Sequence, residues 1–469
     1  MDPRSYVVAT TAVILGVFLV SVVRRRFDPF APLWLFLVGY VQVYVIQALS
    51  YHEYGIRVRG HEVVTEANVR ALWGLIWFLI VYHLPIGRGV ASRLPRSPVA
   101  WSAGLVAGIA PILAAWGMAG ALLISYDQSK QGAEISPEAF LLLQFPILTQ
   151  VAAVLLIVTG RNPARPRPVW TALGLLMGIG YVFLWMYNGK RSHSLIGVLT
   201  TTCAFYCSRG RRPSFAVLGI TALLGAMAVT LALGWRNNPR YERSATGFVA
   251  YLGDFEPSMI LANINLADRE MGRKAYKGPP SYETEEWGAY LLMLDTVPHK
   301  SPHDYGASYL RLISTYIPRV IWADKPYYGR DEWVAAWMAG SEFKRKPTFT
   351  GPAIGILGAT HLNGGAPATL VVLAVLAILL RSAYEYFRGF ADCPWAQVWW
   401  SLTFYNAWFM TVNDDPFVWF YYVYGHTTLP PMALLWFLNR LRTSPSDDAR
   451  APGLLLGRGA EATATFPRC

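Results

Sequence analysis

Apolar residues run along the chain in blocks, at about 5–23, 30–49, 67–84, 99–125, 139–159, 169–187, 194–207, 214–234, 366–381, 395–412 and 417–438. Most hold roughly 18 to 25 residues with little or no charge, enough for a helix to cross a bilayer core. The pattern predicts an all-α fold: a polytopic transmembrane helix bundle of about eleven spans. The block at 194–207 is the shortest. The first block is expected to be retained rather than cleaved. Asp2 and Arg4 make a poor basic leader, and Arg24, Arg25 and Arg26 follow the apolar run instead of preceding it.

Polar residues between the blocks alternate in kind. One set of loops carries Arg24, Arg25 and Arg26, then Arg88, Arg93 and Arg96, then Arg161, Arg165 and Arg167. The same set continues with Arg209, Arg211 and Arg212, with Arg381 and Arg388, and with Arg440 and Arg442. The opposite loops are acidic or mixed, with Asp127, Lys130, Glu134 and Glu138 in one and Asp414 and Asp415 in another. Short basic loops stay in the cytoplasm, so the N-terminus is expected outside and the C-terminus inside. Within a bundle taking in 1–442, the stretch 235–365 stands apart. Its charges nearly balance, as in a folded insertion, and helix-like stretches near 246–270 and 305–317 alternate with turn-rich ones near 278–280 and 347–365. It reads as a large, mostly helical extracytoplasmic loop over the outer mouth of the bundle. Residues 443–469 read as a disordered cytoplasmic tail.

Composition sharpens this picture. The 469 residues are 54% hydrophobic and only 15% charged, against about 25% charged in soluble proteins. Two or three soluble domains are thereby excluded. The 18 Trp and 26 Tyr suit a protein with two membrane interfaces. The formal charge of +12 is mostly topological and does not point to nucleic acid. Cys203 and Cys207 share a helix face, but no acid or histidine at matching spacing accompanies them, so they read as packing. No disulfide framework and no metal site is implied.

The spans read as almost free of ionisable groups, with His426, near Asn406 and Pro430, the exception. Ion-coupled transporters usually hold charge at mid-depth, so the chemistry is expected at the outer interface. Three cationic clusters lie there: Gly189-Lys190-Arg191-Ser192-His193, the run from Trp235 to Arg243, and the run from Val297 to Pro326. Guanidinium forks and ammonium groups bind diphosphate oxygens, and they also bind lipid headgroups or snorkel at helix ends. Aromatic residues of the loop, including Tyr251, Trp287, Tyr305, Trp322 and Trp333, suit either stacking on sugars or sealing a core. Asp254 and Glu256, one residue apart, are expected on one side of an extended strand, where they would hold a cation or supply a base. His299, His303 and His361 are the outer groups suited to proton abstraction near neutrality. His361 follows from position, just outside the ninth span, and His303 from chemistry, because Asp304 beside it is placed to orient the ring.

The segment from Val297 to Pro326, with Ile-Pro-Arg-Val-Ile-Trp-Ala-Asp-Lys-Pro at its end, resembles the O-antigen polymerase (Wzy) family. So do the Gly-rich stretch from Phe349 to Gly365 and the junction at Gly189-Lys190-Arg191. Arg236 with Gly247 fits an Arg-ten residues-Gly spacing found in such proteins, while the longer Arg-fifteen residues-Gly repeats are absent. The resemblance implies a glycosyltransferase of the bacterial inner membrane that needs no cofactor. Its substrates would be polyprenyl-diphosphate-linked oligosaccharide repeat units, with membrane lipids, a flippase and a chain-length regulator as partners. A hydroxyl of one repeat unit would displace the diphosphate of another. Arg191, Arg236, Arg311, Arg319 and Lys325 are the diphosphate candidates, and His303 or His361, with Asp254 or Glu256 in reserve, the base. A glycan ligase of the O-antigen ligase type is the nearest alternative, with a polysaccharide transporter or a non-catalytic assembly protein beyond it.

Overall fold

The computed structural model describes residues 2–98, 100–131, 145–237, 240–242, 244–256, 286–310, 317, 322, 324, 353–412 and 428–442. Every regular element among these residues is helical. Local chemistry marks the starts. Prolines open α1 (Pro3–Val23) and α2 (Pro32–Ser50), where a missing N–H costs nothing, and the Asp2 side chain caps α1 by accepting from Arg4 N at 2.9 Å. The helices α3 (His52–His83), α4 (Ile86–Arg93), α5 (Ala103–Gln131), α6 (Ile147–Gly160), α7 (Pro168–Tyr187), α8 (Arg191–Cys207) and α9 (Phe215–Asn237) follow. Then come α10 (Ala245–Gly253), α11 (Glu286–Thr296), α12 (Gly355–Gly389), α13 (Pro394–Thr403), α14 (Asn406–Val412) and α15 (Leu429–Arg442).

Among the described residues seven helices are long and apolar enough to cross a membrane: α1, α2, α3, most of α5, α7, most of α9, and α12. They match seven of the eleven apolar blocks. The chain is therefore a helical protein of the membrane type. Of the other four blocks, 139–159 yields the 14-residue α6 and 194–207 the 17-residue α8, while 395–412 is divided between α13 and α14. The last yields α15 from Leu429, its residues 417–427 lying outside the described ones.

The 14-residue apolar helix α6 is fully enclosed. Every residue of α6 is buried, with α5, α7, α8 and α13 around it. Small residues let the neighbours approach, as is common where helices pack within a membrane. A Cβ added at Gly117 of α5 would lie 2.6 Å from the Thr149 backbone nitrogen. Outward faces are apolar too: Val169, Leu176, Phe215 and Ile220 are more than half exposed, as expected of surfaces that meet lipid.

The helix α3 begins at His52, well before the apolar block at 67–84, and is interrupted only at Gly60 (φ 87°). One expectation needs correction. The turn-rich reading of 347–365 fails from Gly355 onward, where α12 is helical and buried through Asn363. Glycine has low helix propensity, but close packing against α3 and α11 outweighs it. Within the stretch expected as the loop, α11 packs into the core: Trp287, Tyr290, Leu291 and Met293 are all buried.

Ion pairs gather at two ends of the bundle. At one, Arg4 pairs with Glu53, Arg59 with Asp295 at 3.1 Å, and Lys300 with the same Asp295 oxygen at 3.1 Å. At the other, Asp28 accepts from Arg212 at 3.1 Å, from the Tyr384 hydroxyl at 2.5 Å and from Phe30 N at 3.2 Å. Nearby, Glu385 pairs with Arg88 and Arg381. Asp28 thus ties the α1–α2 turn to the α8–α9 connection and to α12. Asp28→Ala strands these donors and is expected to cost about 2–3 kcal/mol, and Tyr384→Phe about 1 kcal/mol. Thermal unfolding of the purified protein in detergent, followed by tryptophan fluorescence, measures both.

Candidate functional site at a broken helix

The helix α12 leaves its regular path at Gly364 and Gly365, with Pro367 just beyond. Gly365 has φ 68°, a conformation that side chains with a Cβ resist. Carbonyls at the end of a helical stretch lack intrahelical partners, and here the segment after α11 supplies them. His303 Nδ1 lies 3.0 Å from the His361 carbonyl, and Asp304 N donates to the Leu362 carbonyl at 2.9 Å. The Ser308 hydroxyl donates to Asn363 Oδ1 at 3.0 Å, which ties the same segment to the helix once more.

These contacts fix the His303 ring. A carbonyl only accepts, so Nδ1 carries a proton, and in the neutral ring Nε2 is then the nitrogen with the lone pair. Among the described residues Nε2 has no hydrogen-bond partner, and the ring is partly exposed. Its open edge lies against Gly365, 3.7 Å from where a Cβ would stand. Asp304 does not orient this ring. Its carboxylate accepts from Gly306 N at 3.0 Å and Ser308 N at 3.3 Å, holding its own turn. The orienting group is the His361 carbonyl.

His361 is in a different state. Its ring lies 5.6 Å from that of His303 and only 4% of the residue is exposed. Arg70 approaches Nδ1 at 2.7 Å, and Nε2 lies 2.8 Å from the Val297 carbonyl. Arginine only donates and a carbonyl only accepts. His361 is therefore the neutral Nε2–H tautomer, with its one lone pair already taken by Arg70. It does not sit at an open interface, and in this arrangement it has no lone pair to offer a substrate. Arg70 in turn pairs with Glu66 at 2.5 Å.

A second polar group lies at the opposite end of α11. The buried Glu286 accepts from the Gln47 amide, whose own oxygen takes Trp287 N at 3.0 Å. Gln47 closes a π-helical turn, Gln42–Gln47, within α2, a feature often found at functional positions. Arg191 reaches Glu286 at 3.9 Å. Arg236 lies beside the Arg191 turn, its Cβ 2.9 Å from where a side chain on Gly189 would begin. Two cationic clusters distant in sequence thus come together. The eleven residues of α11 separate this group from the His303 group by about 16 Å.

The remaining candidates are placed as follows. Asp254 is not on a strand: it ends α10, and its carboxylate takes the Tyr241 hydroxyl at 2.5 Å. That bond, above all, raises the Tyr241 pKa. Glu256 follows in the same irregular stretch, and no strand aligns the two acids. Arg311, Arg319, Lys325 and His426 lie outside the described residues. Tyr251 and Trp287 are core, whereas Tyr305 is 79% exposed. Among the described residues no three His, Cys, Asp or Glu side chains gather to hold a metal. The sequence reading missed Arg70, Glu66, Gln47 and Glu286. Arg70 was legible as a charge inside the third apolar block with Glu66 one turn before it.

Because Arg70 and His361 satisfy each other, their losses are expected to overlap. Arg70→Ala and His361→Ala should each destabilise the protein, and the double variant should fall short of their sum by about 1–2 kcal/mol. Additive losses in thermal unfolding would show that the bond couples nothing. In comparisons with known proteins, no family model, no curated protein and no solved structure matches the chain, so the reading of this site rests on its own residues.

Proposed function

We propose that the chain is a glycosyltransferase of the bacterial inner membrane that polymerises polyprenyl-diphosphate-linked repeat units at the outer face. In this reading about eleven spans and the segment 235–365 together build the site at the outer face. The observation that carries the reading is the state of His303. Its Nδ1–H is committed to a backbone carbonyl, which leaves Nε2 to accept a proton, the requirement for a general base.

The transfer runs as a displacement at an anomeric carbon. Nε2 of His303 takes the proton of the acceptor hydroxyl as its oxygen bonds to that carbon. The bond from the carbon to the diphosphate oxygen breaks, and the diphosphate leaves with the electron pair. Fixed cations stabilise the charge that develops on it. Arg70 is two contacts from His303, through His361, and is assigned that task. Arg191 and Arg236 lie one length of α11 away. They are assigned the diphosphate of the acceptor, which a polymerase binds at the far end of the sugar chain being extended. Two cation groups separated by a distance that a short oligosaccharide bridges favour two lipid-linked substrates over one.

The test is elongation by purified protein in vesicles supplied with a lipid-linked repeat unit. His303→Ala is expected to lower the rate by about 10²–10⁴ while the protein remains folded. Arg191→Ala should raise the repeat-unit concentration needed for half-maximal rate. Unchanged chain growth in His303→Ala removes it as the base. Transfer of one finished glycan to a different acceptor, without growth, would favour the ligase.

A further inference from the structure

The end of the bundle far from His303 carries a concentration of positive charge that the glycan reading does not use. Three arginines meet there from two turns. Arg161 ends α6, and Arg209 and Arg211 flank Gly210 in the connection from α8 to α9. Gly210 has φ 61°, and the tight turn brings Arg209 N and Arg211 N to the same Tyr206 carbonyl, at 3.3 and 3.2 Å. The Arg161 guanidinium lies over the Phe205 ring, 3.5 Å from its centroid. Its Nε–H is buried and meets no acceptor among the described residues.

None of the three makes an ion pair among the described residues. Arg212, the next in sequence, is the one that pairs with Asp28. Asp392 lies beside Gly210, its carboxylate 3.9 Å from where a Cβ would stand, and pairs with none of them. Burial, and then the charges of Arg209 and Arg211, lower the Arg161 pKa. Basic residues that only set topology can spread into water. Here packing holds like charges together and leaves a guanidinium donor unbonded. An anion between them would relieve both costs, and the planar guanidinium fork matches phosphate oxygens.

The surroundings indicate where the phosphate comes from. The helix α7 leaves the Arg161 turn with Val169, Leu173 and Leu176 exposed, and α9 leaves the Arg211 turn with Phe215, Ile220 and Leu223 exposed. Two apolar stripes therefore start at the arginines and run away from them. A free phosphate would use the arginines alone, whereas a diacyl phospholipid uses both features.

We propose that Arg161, Arg209 and Arg211 form a site for the phosphate of an anionic membrane phospholipid, its acyl chains lying along the exposed faces of α7 and α9. The site is independent of the glycan chemistry and lies at the other end of the bundle.

The experiment is a lipid competition on the purified full-length protein. Delipidated protein is offered equal amounts of phosphatidylglycerol and phosphatidylcholine with identical acyl chains, and the retained lipid is counted by native mass spectrometry. Phosphatidylglycerol is expected to be enriched, and Arg161→Gln, Arg209→Gln and Arg211→Gln should each reduce the enrichment about fivefold. Arg209 and Arg211 are exposed, so their variants carry the test if Arg161→Gln does not fold. A variant with Arg24, Arg25 and Arg26 all changed to Gln, at the same end but outside the cluster, should keep the enrichment. Equal retention of both lipids overturns the proposal, as does an equal loss in the Arg24–Arg26 variant. Complete displacement of the lipid by inorganic phosphate would also overturn it, in favour of a site for the free anion.

Discussion

Where α12 breaks at Gly364 and Gly365, its last carbonyls turn to an outside segment for hydrogen bonds, and the rest of the candidate site follows from that exchange. In an apolar bundle a backbone carbonyl without a donor costs several kcal/mol. The segment after α11 meets the demand with His303 Nδ1–H and Asp304 N–H. In doing so it fixes the ring of His303 and the direction of its free nitrogen. A requirement of backbone satisfaction thereby sets the tautomer of a side chain. The same break places the His303 ring beside Gly365, its Nε2 3.7 Å from where a Cβ there would stand.

The two histidines show how one neighbourhood gives like residues unlike roles. His361 is saturated, held between Arg70 and the Val297 carbonyl, and it locks α12 to α3 and to the end of α11. His303 is half satisfied, fixed at one nitrogen and open at the other. Rigidity comes from the first and availability from the second. At the far end of α11, Gln47 plays the orienting part for Glu286, since its oxygen is committed to Trp287 N and its amide nitrogen must then face the carboxylate.

Charge is distributed by the same logic. The apolar middle of the bundle leaves most ionic groups to its two ends, where they tie turns to helices: Asp28 joins the α1–α2 turn to the α8–α9 connection and α12, and Asp295 joins α3 to α11. Against these matched pairs, the unmatched arginines at 161, 209 and 211 stand out because their repulsion is left without a protein counter-charge among the described residues.

The helical class and most of the long apolar helices were legible in the sequence, because a bilayer imposes length and apolarity on each segment independently of the others. The positions of α1, α2, α7 and α9 follow from that local constraint and from their opening prolines, arginine runs and polar ends. His303 was legible as a candidate, since a histidine in a polar outer segment is a local feature. Its orienting partner was not: the His361 carbonyl belongs to a helix 58 residues away, and no residue pattern announces a backbone group. The burial of His361 and the roles of Arg70 and Glu286 were likewise decided by tertiary packing. Whether a side chain is open or saturated depends on which groups other helices bring to it, and in this protein those groups come from α2, α3, α11 and α12 together.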